Sequence, residues 1–440
     1  MEKLDDLGNW RRSHYSIDVT PSLDGCTVTL FGLAASIRRQ GGLIFIILQD
    51  REGIVQLTLH KDRVPEQVWE RAENLQEHSF LGARGVVKSI AKAPHGAEMV
   101  PEALKVLAIP RRLPPIKLLR GRLPSLEKRL DLRSVDLRRP NVQAIFRVRH
   151  NVLQALRGFL TARGYLEVNT PKVIASATEG GAALFPLLYY NKEAFLAQSP
   201  QLYKEQLTPA FEKVFEVASI YRAEPFRTLR HLSETVSVDV EEAYVTYEDV
   251  MRLLEEMLRH IVEVVCENRK QDLETLGVAL KPPELPLKRH TYRDVLKTLE
   301  DAGVTLAWGE DLSTQALKTL GTVEQGFYFI TDWPTASKAF YIKPMDDTPE
   351  TCEAFDLMAG SIELASGGSR VSSRRLLTKR LKEKGLNPKL FDYHLKVFDY
   401  GMPPHAGFGL GMDRLMMVLT GRENIREVVL FPRDQKRLTP

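Results

Sequence analysis

The chain has 440 residues, 43% apolar and 27% charged, with a net charge of +4. That length exceeds one ordinary core and implies two or three domains, and the composition is that of a globular protein, not a disordered or fibrous one. Three widely spaced cysteines (Cys26, Cys266, Cys352) argue against a disulfide framework or a zinc site, and no apolar run nears the roughly twenty residues of a membrane span. The small net charge confines any nucleic-acid-binding surface to a local patch, and the polar, acidic start makes a cytoplasmic location the expectation.

The first hundred residues read as strands: 26–35, the apolar run 43–48, and 54–60 after the turn Asp50-Arg51-Glu52-Gly53. A short helix is expected near 65–75, opening at a proline, and two further strands near 80–88 and 98–107. Five strands with a helix between the third and fourth is the order of a small all-β Greek-key barrel of the oligonucleotide-binding (OB) type, assigned to residues 1–110. Residues 111–140 carry ten basic and three acidic residues among several prolines, and read as a basic hinge.

After Pro140 the periodicity becomes helical, with Ile145, Val152, Leu156, Phe159 and Leu160 on one face. Gly164 stops that helix and a strand runs toward Pro171. Further strands are expected at 183–190, 214–221, 235–243, 327–331, 355–363 and 406–411, and an amphipathic helix at 247–268. This is the pattern of an α+β domain with an antiparallel sheet over 141–440. Near its end, Gly407-Phe408-Gly409-Leu410-Gly411-Met412-Asp413-Arg414 alternates glycine with apolar residues before placing an acid and an arginine on a helix. Small residues let a flat ligand approach the backbone, and the arginine can then stack on a ring and meet phosphate oxygens.

Three elements in order resemble the signature motifs of the class II aminoacyl-tRNA synthetases. The helix and strand ending at Pro171 look like motif 1. The stretch 215–241, with Tyr221-Arg222-Ala223-Glu224, Arg230-His231 and Asp239, looks like motif 2, and the glycine strand with Arg414 looks like motif 3. Within that class the chain resembles the aspartyl-tRNA synthetases of archaeal or eukaryotic-like form. The blocks that carry this are Ala177-Thr178-Glu179-Gly180-Gly181, Gln198-Ser199-Pro200-Gln201-Leu202-Tyr203-Lys204, Ile362-Glu363 with Ser366-Gly367-Gly368 and Arg370, and the tail from Leu430 to Pro440.

The resemblance implies ATP-dependent attachment of L-aspartate to tRNA through an aspartyl-adenylate. It leaves open whether tRNA-Asn is charged besides tRNA-Asp. For ATP it implies Arg222 at the α-phosphate, Glu224 at the adenine amino group, His231 near the terminal phosphates and Arg414 over the adenine and meeting phosphate, with Arg230 and Gly411 also in the ATP site. No GxxxxGK[ST] loop is present, so arginines and a metal must neutralise the phosphates. Glu363 and Ser366 would hold Mg²⁺, an ion suited to hard oxygen ligands.

For the amino acid the resemblance implies Glu179, Ser199 and Gln201 at the ammonium group, Ser366 nearby, and Lys204 with Arg370 at the side-chain carboxylate, ordered by Asp239. Aspartate and asparagine are nearly isosteric, so only charge separates them. Asparaginyl enzymes resemble this family but have an apolar residue where Lys204 stands. In the barrel, Phe45, Gln56 and Glu98 match anticodon-reading positions, a stacked aromatic giving grip and polar groups reading base edges. Motif 1 implies a homodimer.

Several positions depart from the family pattern: Ser369 and Ser372 replace a glutamine and a histidine beside Arg370, Thr235 replaces an adenine-stacking phenylalanine, and Leu33 replaces a barrel tryptophan. The rival readings are an asparaginyl enzyme, a non-catalytic tRNA-binding paralogue, and an enzyme that amidates aspartate directly.

Overall fold

Apolar strand residues turned inward build the N-terminal barrel. In the computed structural model, which describes residues 4–119, 121–175 and 184–440, the chain divides into two units, Met1–Pro140 and Asn141–Pro440. Strands β1 (Thr27–Gln40), β2 (Leu43–Gln49), β3 (Ile54–His60), β4 (Phe80–Ser89) and β5 (Ala97–Ala108) close in the order β1-β2-β3-β5-β4, with helix α1 (Glu66–Asn74) between β3 and β4. Ile44, Ile46 and Leu48 point into the core, so Phe45 and Ile47 face outward, half-buried. The barrel is the OB fold that the strand order implies. Residues 111–140, read as a hinge, carry two short helices, α2 (Leu126–Asp131) and α3 (Arg133–Asp136). There the fully buried Asp136 receives hydrogen bonds from Arg129 (2.9 and 3.1 Å) and Arg133 (3.0 Å).

The second unit opens with α4 (Pro140–Ala162), whose apolar face packs Val148, Val152, Leu156 and Leu160 into a core shared with the sheet. Its eight-stranded sheet uses β6 (Leu166–Glu167), β10 (Lys213–Tyr221), β11 (Glu234–Ala243), β12 (Lys288–Thr291), β13 (Phe327–Pro334), β14 (Thr351–Ala359), β15 (Ile362–Ser369) and β16 (His405–Gly411). The order is β12-β13-β14-β15-β16-β11-β10-β6, antiparallel except at the two edges, where β12–β13 and β6–β10 run parallel. A small second sheet joins β7 (Val173–Ile174), β8 (Pro186–Tyr189) and β9 (Lys192–Leu196).

Helices α5 (Gln201–Phe211), α6 (Tyr247–Asn268), α7 (Lys270–Leu276), α8 (Tyr292–Asp301), α9 (Thr314–Val323), α10 (Arg374–Glu383), α11 (Asp392–Asp399) and α12 (Met412–Thr420) surround it. The single strand expected at 355–363 is instead the hairpin β14–β15, because Gly360 takes φ +53° and turns the chain between two apolar runs. No helix among the described residues is long and apolar enough to cross a membrane.

Candidate active site

Sheet register assembles the site. Across four neighbouring strands, Asp356 pairs with Ser366, Ser366 with Gly409, and Gly409 with Asp239. Two residues along, Gly407 lies between Glu241 and Gly368. A Cβ at Gly407 would come within 2.2 Å of both a Glu241 carboxylate oxygen and the Val240 carbonyl, so only glycine leaves Glu241 its place. The glycines of the last strand therefore keep the floor low beneath a cavity of about 460 Å³.

The cavity has a buried part and an open part. Ser199, Gln201, Asp239 and Arg370 line the first, each no more than 9% exposed. Arg370 forms a two-pronged pair with Glu241, Nε–Oε1 2.9 Å and Nη2–Oε2 3.2 Å. Lys204 is buried behind these residues and does not itself line the cavity. Its Nζ lies beneath the floor, donating to Asp239 Oδ1 (3.2 Å) and to the Phe408 and Val240 carbonyls (3.1 and 3.3 Å), with Glu241 Oε2 at 3.3 Å. Two cations thus share Glu241. Ser237 donates to Asp239 Oδ2 at 2.6 Å and fixes the second carboxylate. Glu179 lies outside the described residues.

The open part holds Arg222, Glu224, Arg230, His231, Glu363, Ser366, Gly411 and Arg414. Arg414 is braced by the Glu363 carbonyl (3.0 Å) and sits 3.3 Å from His231 Nε2. Burial, then the charge of Arg414, lowers the His231 pKa below the usual histidine value, which favours the neutral ring. Arg230 is held by Ser361 through its carbonyl (2.6 Å) and hydroxyl (2.8 Å). The preceding acid, Asp413, bonds Arg149 of α4 (2.5 Å) and the Val236 N–H (2.9 Å), so it anchors the helix that carries Arg414.

Residues that fit a metal lie beside this group. Ser366 and Glu363 line the cavity, and the Glu363 side chain is 46% exposed. A carboxylate and a hydroxyl on one wall are hard-oxygen donors suited to an Mg²⁺ ion that also keeps phosphate ligands, and Asp356 pairs with Ser366 on the neighbouring strand. Lys338 holds both oxygens of Asp356, at 2.8 and 2.7 Å.

Asp356, Lys338 and Glu241 were not singled out from the sequence. An acid inside the apolar strand Ala354-Phe355-Asp356-Leu357 was the available signal, as was Glu241 two residues from Asp239 on the same strand face. The departures are absorbed locally: Ser369 Oγ accepts from the Tyr247 N–H at 2.9 Å, at the start of α6, and Ser372 is exposed. Thr235 lines the cavity, while Phe226 packs edge-on against His231.

The C-terminal tail anchors the motif 2 loop through Asp434, which accepts from Arg227 Nε (3.1 Å), Arg426 Nε (2.6 Å) and the Lys436 and Arg437 N–H groups (2.9 Å each). Burial opposes its charge, but the Lys436 N–H and the two guanidiniums outweigh it and hold the pKa at about 2, from 3.8. A depressed folded-state pKa gives stability that is present above the unfolded value and lost as pH falls through the folded one. Against Asp434→Asn, the native chain is expected to be more stable by roughly 2 kcal/mol at about pH 6. Denaturant unfolding should show this advantage vanishing as pH falls toward 2.

In the barrel unit, Gln56 and Thr58 both donate to Glu98 Oε2, at 2.8 and 2.7 Å, across the parallel β3–β5 pairing. Phe45 lies outside the core with the Arg38 guanidinium 5.1 Å from its ring centre. The three sequence-derived barrel residues thus lie on neighbouring strands β2, β3 and β5 of one sheet face, and Arg38 joins them.

Residues 125–435 match the family model of class II tRNA synthetases (D, K and N), and residues 28–107 match that of an OB-fold nucleic-acid-binding domain. The Aspartate--tRNA(Asp/Asn) ligase of Methanothermobacter thermautotrophicus is 46% identical over 99% of this chain and 100% of its own length. That of Archaeoglobus fulgidus is 48% identical over 97% and 99%. The crystal structure of asparaginyl-tRNA synthetase from Pyrococcus horikoshii complexed with asparaginyl-adenylate superposes with a TM-score of 0.93 at 34% identity, covering 98% of this chain and 100% of that one. Aspartyl tRNA synthetase from Entamoeba histolytica gives 0.87 at 27%, covering 98% and 93%.

Proposed function

The chain belongs to the class II tRNA synthetases of the D, K and N group, and from that premise we infer that it is an aspartate–tRNA ligase that charges tRNA-Asp and tRNA-Asn. The relatives 44–48% identical along their whole length carry that activity in their names. The observation that carries the amino-acid assignment is the pair of buried cations, Arg370 and Lys204, on one shared carboxylate at the inner part of the cavity. A second carboxylate at Arg370 adds an ionic contact beside the one with Glu241, and a neutral amide does not supply it.

In this reading the α-carboxylate of aspartate attacks the α-phosphorus of ATP and pyrophosphate leaves. Arg222 neutralises charge on the α-phosphate, and Glu224 accepts from the adenine amino group. Arg414 covers the ring, with His231 and Arg230 toward the terminal phosphates. Glu363, Ser366 and Asp356 would hold Mg²⁺, which supplies charge neutralisation at the phosphates. Gln201 and Ser199 bind the ammonium group of the amino acid, and Asp239 orders the cations at its side chain. The 3′-terminal ribose hydroxyl of the tRNA then attacks the adenylate carbonyl and AMP departs.

Phe45, Gln56 and Glu98 would read the anticodon, and Phe45→Ala is expected to raise the KM for tRNA about tenfold in aminoacylation assays, the loss of one stacked base. We extend the reading to a homodimer and a cytoplasmic location. β6 is an edge strand with Leu166 exposed, and it lies in the segment resembling motif 1. Charging assays with tRNA-Asp and tRNA-Asn transcripts test the acceptor assignment. Transfer of aspartate to both is expected, and transfer of asparagine to either contradicts it.

A further inference from the structure

Behind the amino-acid subsite lies a buried acid that none of these steps uses. Glu205, one residue past Lys204 on α5, is shut off from solvent together with His394 of α11 and His405 at the start of β16. Its Oε1 accepts from Gln201 Nε2 at 2.8 Å. Its Oε2 faces His394 Nε2 at 3.3 Å and His405 Nε2 at 3.6 Å.

The outer nitrogens of both rings settle where their protons lie. Gln206 donates through Nε2 to the Leu202 carbonyl (2.9 Å), which orients its amide, and the same nitrogen lies 3.3 Å from His394 Nδ1. His394 Nδ1 therefore accepts, and the ring carries a proton on Nε2, toward Glu205. His405 Nδ1 lies 2.8 Å from the Pro403 carbonyl and must donate to it. Burial works against a charge on His405, but Glu205, then Glu241, outweigh it and raise its pKa. Both rings thus favour an ionised Glu205 in the core.

That carboxylate has one consequence at the cavity. Gln201 lines the subsite, and its Nε2 is turned toward two acids, Glu205 at 2.8 Å and Glu241 at 3.5 Å. An amide whose nitrogen end is committed to carboxylates presents only its carbonyl elsewhere. Without Glu205 the amide can turn over and offer N–H groups to the site. An ammonium group needs the carbonyl.

We propose that Glu205, held by His394 and His405, is a positioning residue for amino-acid binding that locks the Gln201 amide with its carbonyl toward the ligand's ammonium group. The proposal rests on reading the buried part of the cavity as the aspartate subsite. Glu205 touches no substrate and acts through Gln201.

The test is a double-mutant cycle in aspartate-dependent ATP–pyrophosphate exchange on the full chain. KM for aspartate, KM for ATP, kcat and thermal midpoint are measured for Gln201→Ala, Glu205→Ala, their combination and Glu205→Gln. Each single alanine variant is expected to raise the aspartate KM about tenfold, with kcat and the ATP KM within about threefold of native. The combination should be no worse than the worse single change, because both act on one interaction. Glu205→Gln keeps the shape but frees the amide to turn, and should raise the aspartate KM at least threefold; it carries the test if the alanine variant does not fold. Multiplicative effects in the combination overturn the proposal. So does an aspartate KM unchanged in both Glu205 variants, or one that moves together with kcat and the ATP KM. A native protein without aspartate-dependent exchange refutes the subsite reading instead.

Discussion

Replacing Arg222 with alanine is expected to lower aspartate-dependent pyrophosphate exchange by about a thousandfold while leaving the fold intact. The side chain lies in the open part of the cavity at 45% exposure, so truncation removes little packing. Its charge is placed where phosphoryl oxygens gain negative charge as pyrophosphate leaves, and an interaction made in the transition state is lost from kcat. Steady-state kinetics should show kcat falling with the aspartate KM nearly unchanged, and a thermal melt should show a native midpoint. A loss of less than tenfold would remove Arg222 from the chemistry and pass its role to Arg414 or Arg230.

The second large effect concerns the buried cations. Arg370→Gln is expected to reduce kcat/KM for aspartate by at least about a hundredfold, since the site loses the planar fork that meets a carboxylate. It should also cost about 3 kcal/mol of stability, because Glu241, fully buried, loses its two-pronged partner and keeps Lys204 at 3.3 Å and the Gln201 amide at 3.5 Å. These two losses can be separated. Adding Glu241→Gln removes the orphaned charge and should recover most of the stability in denaturant unfolding, yet aspartate activation should stay low. If activation returns with stability, Arg370 serves the fold and not the substrate.

Much of this was legible in the sequence because it is carried by local pattern. The barrel strand at 43–48 follows from its continuous apolar run, and the helix at 247–268 from its apolar stripe. Arg222, Glu224, Arg230, His231, Glu363, Ser366, Gly411 and Arg414 converge on one cavity from three segments distant in sequence.

What was not legible depends on strand register. Glu241 shares Lys204 with Asp239 only because Gly407 lies opposite it on β16, and Asp356 reaches Ser366 only through the β14–β15 pairing. The same register sets the Lys204 Nζ between the Asp239 and Glu241 carboxylates. The Glu205, His394 and His405 cluster joins α5 to two elements that lie far along the chain, and no spacing rule finds it. The turn at Gly360 was missed because apolar runs on both sides masked it.

The central claim is that the buried cations select aspartate for activation. ATP–pyrophosphate exchange, run separately with aspartate and with asparagine on the native chain, tests it most directly. The account predicts exchange with aspartate and at least hundredfold lower kcat/KM with asparagine. Exchange supported by asparagine alone, or by neither amino acid in folded protein that still binds tRNA, would contradict it.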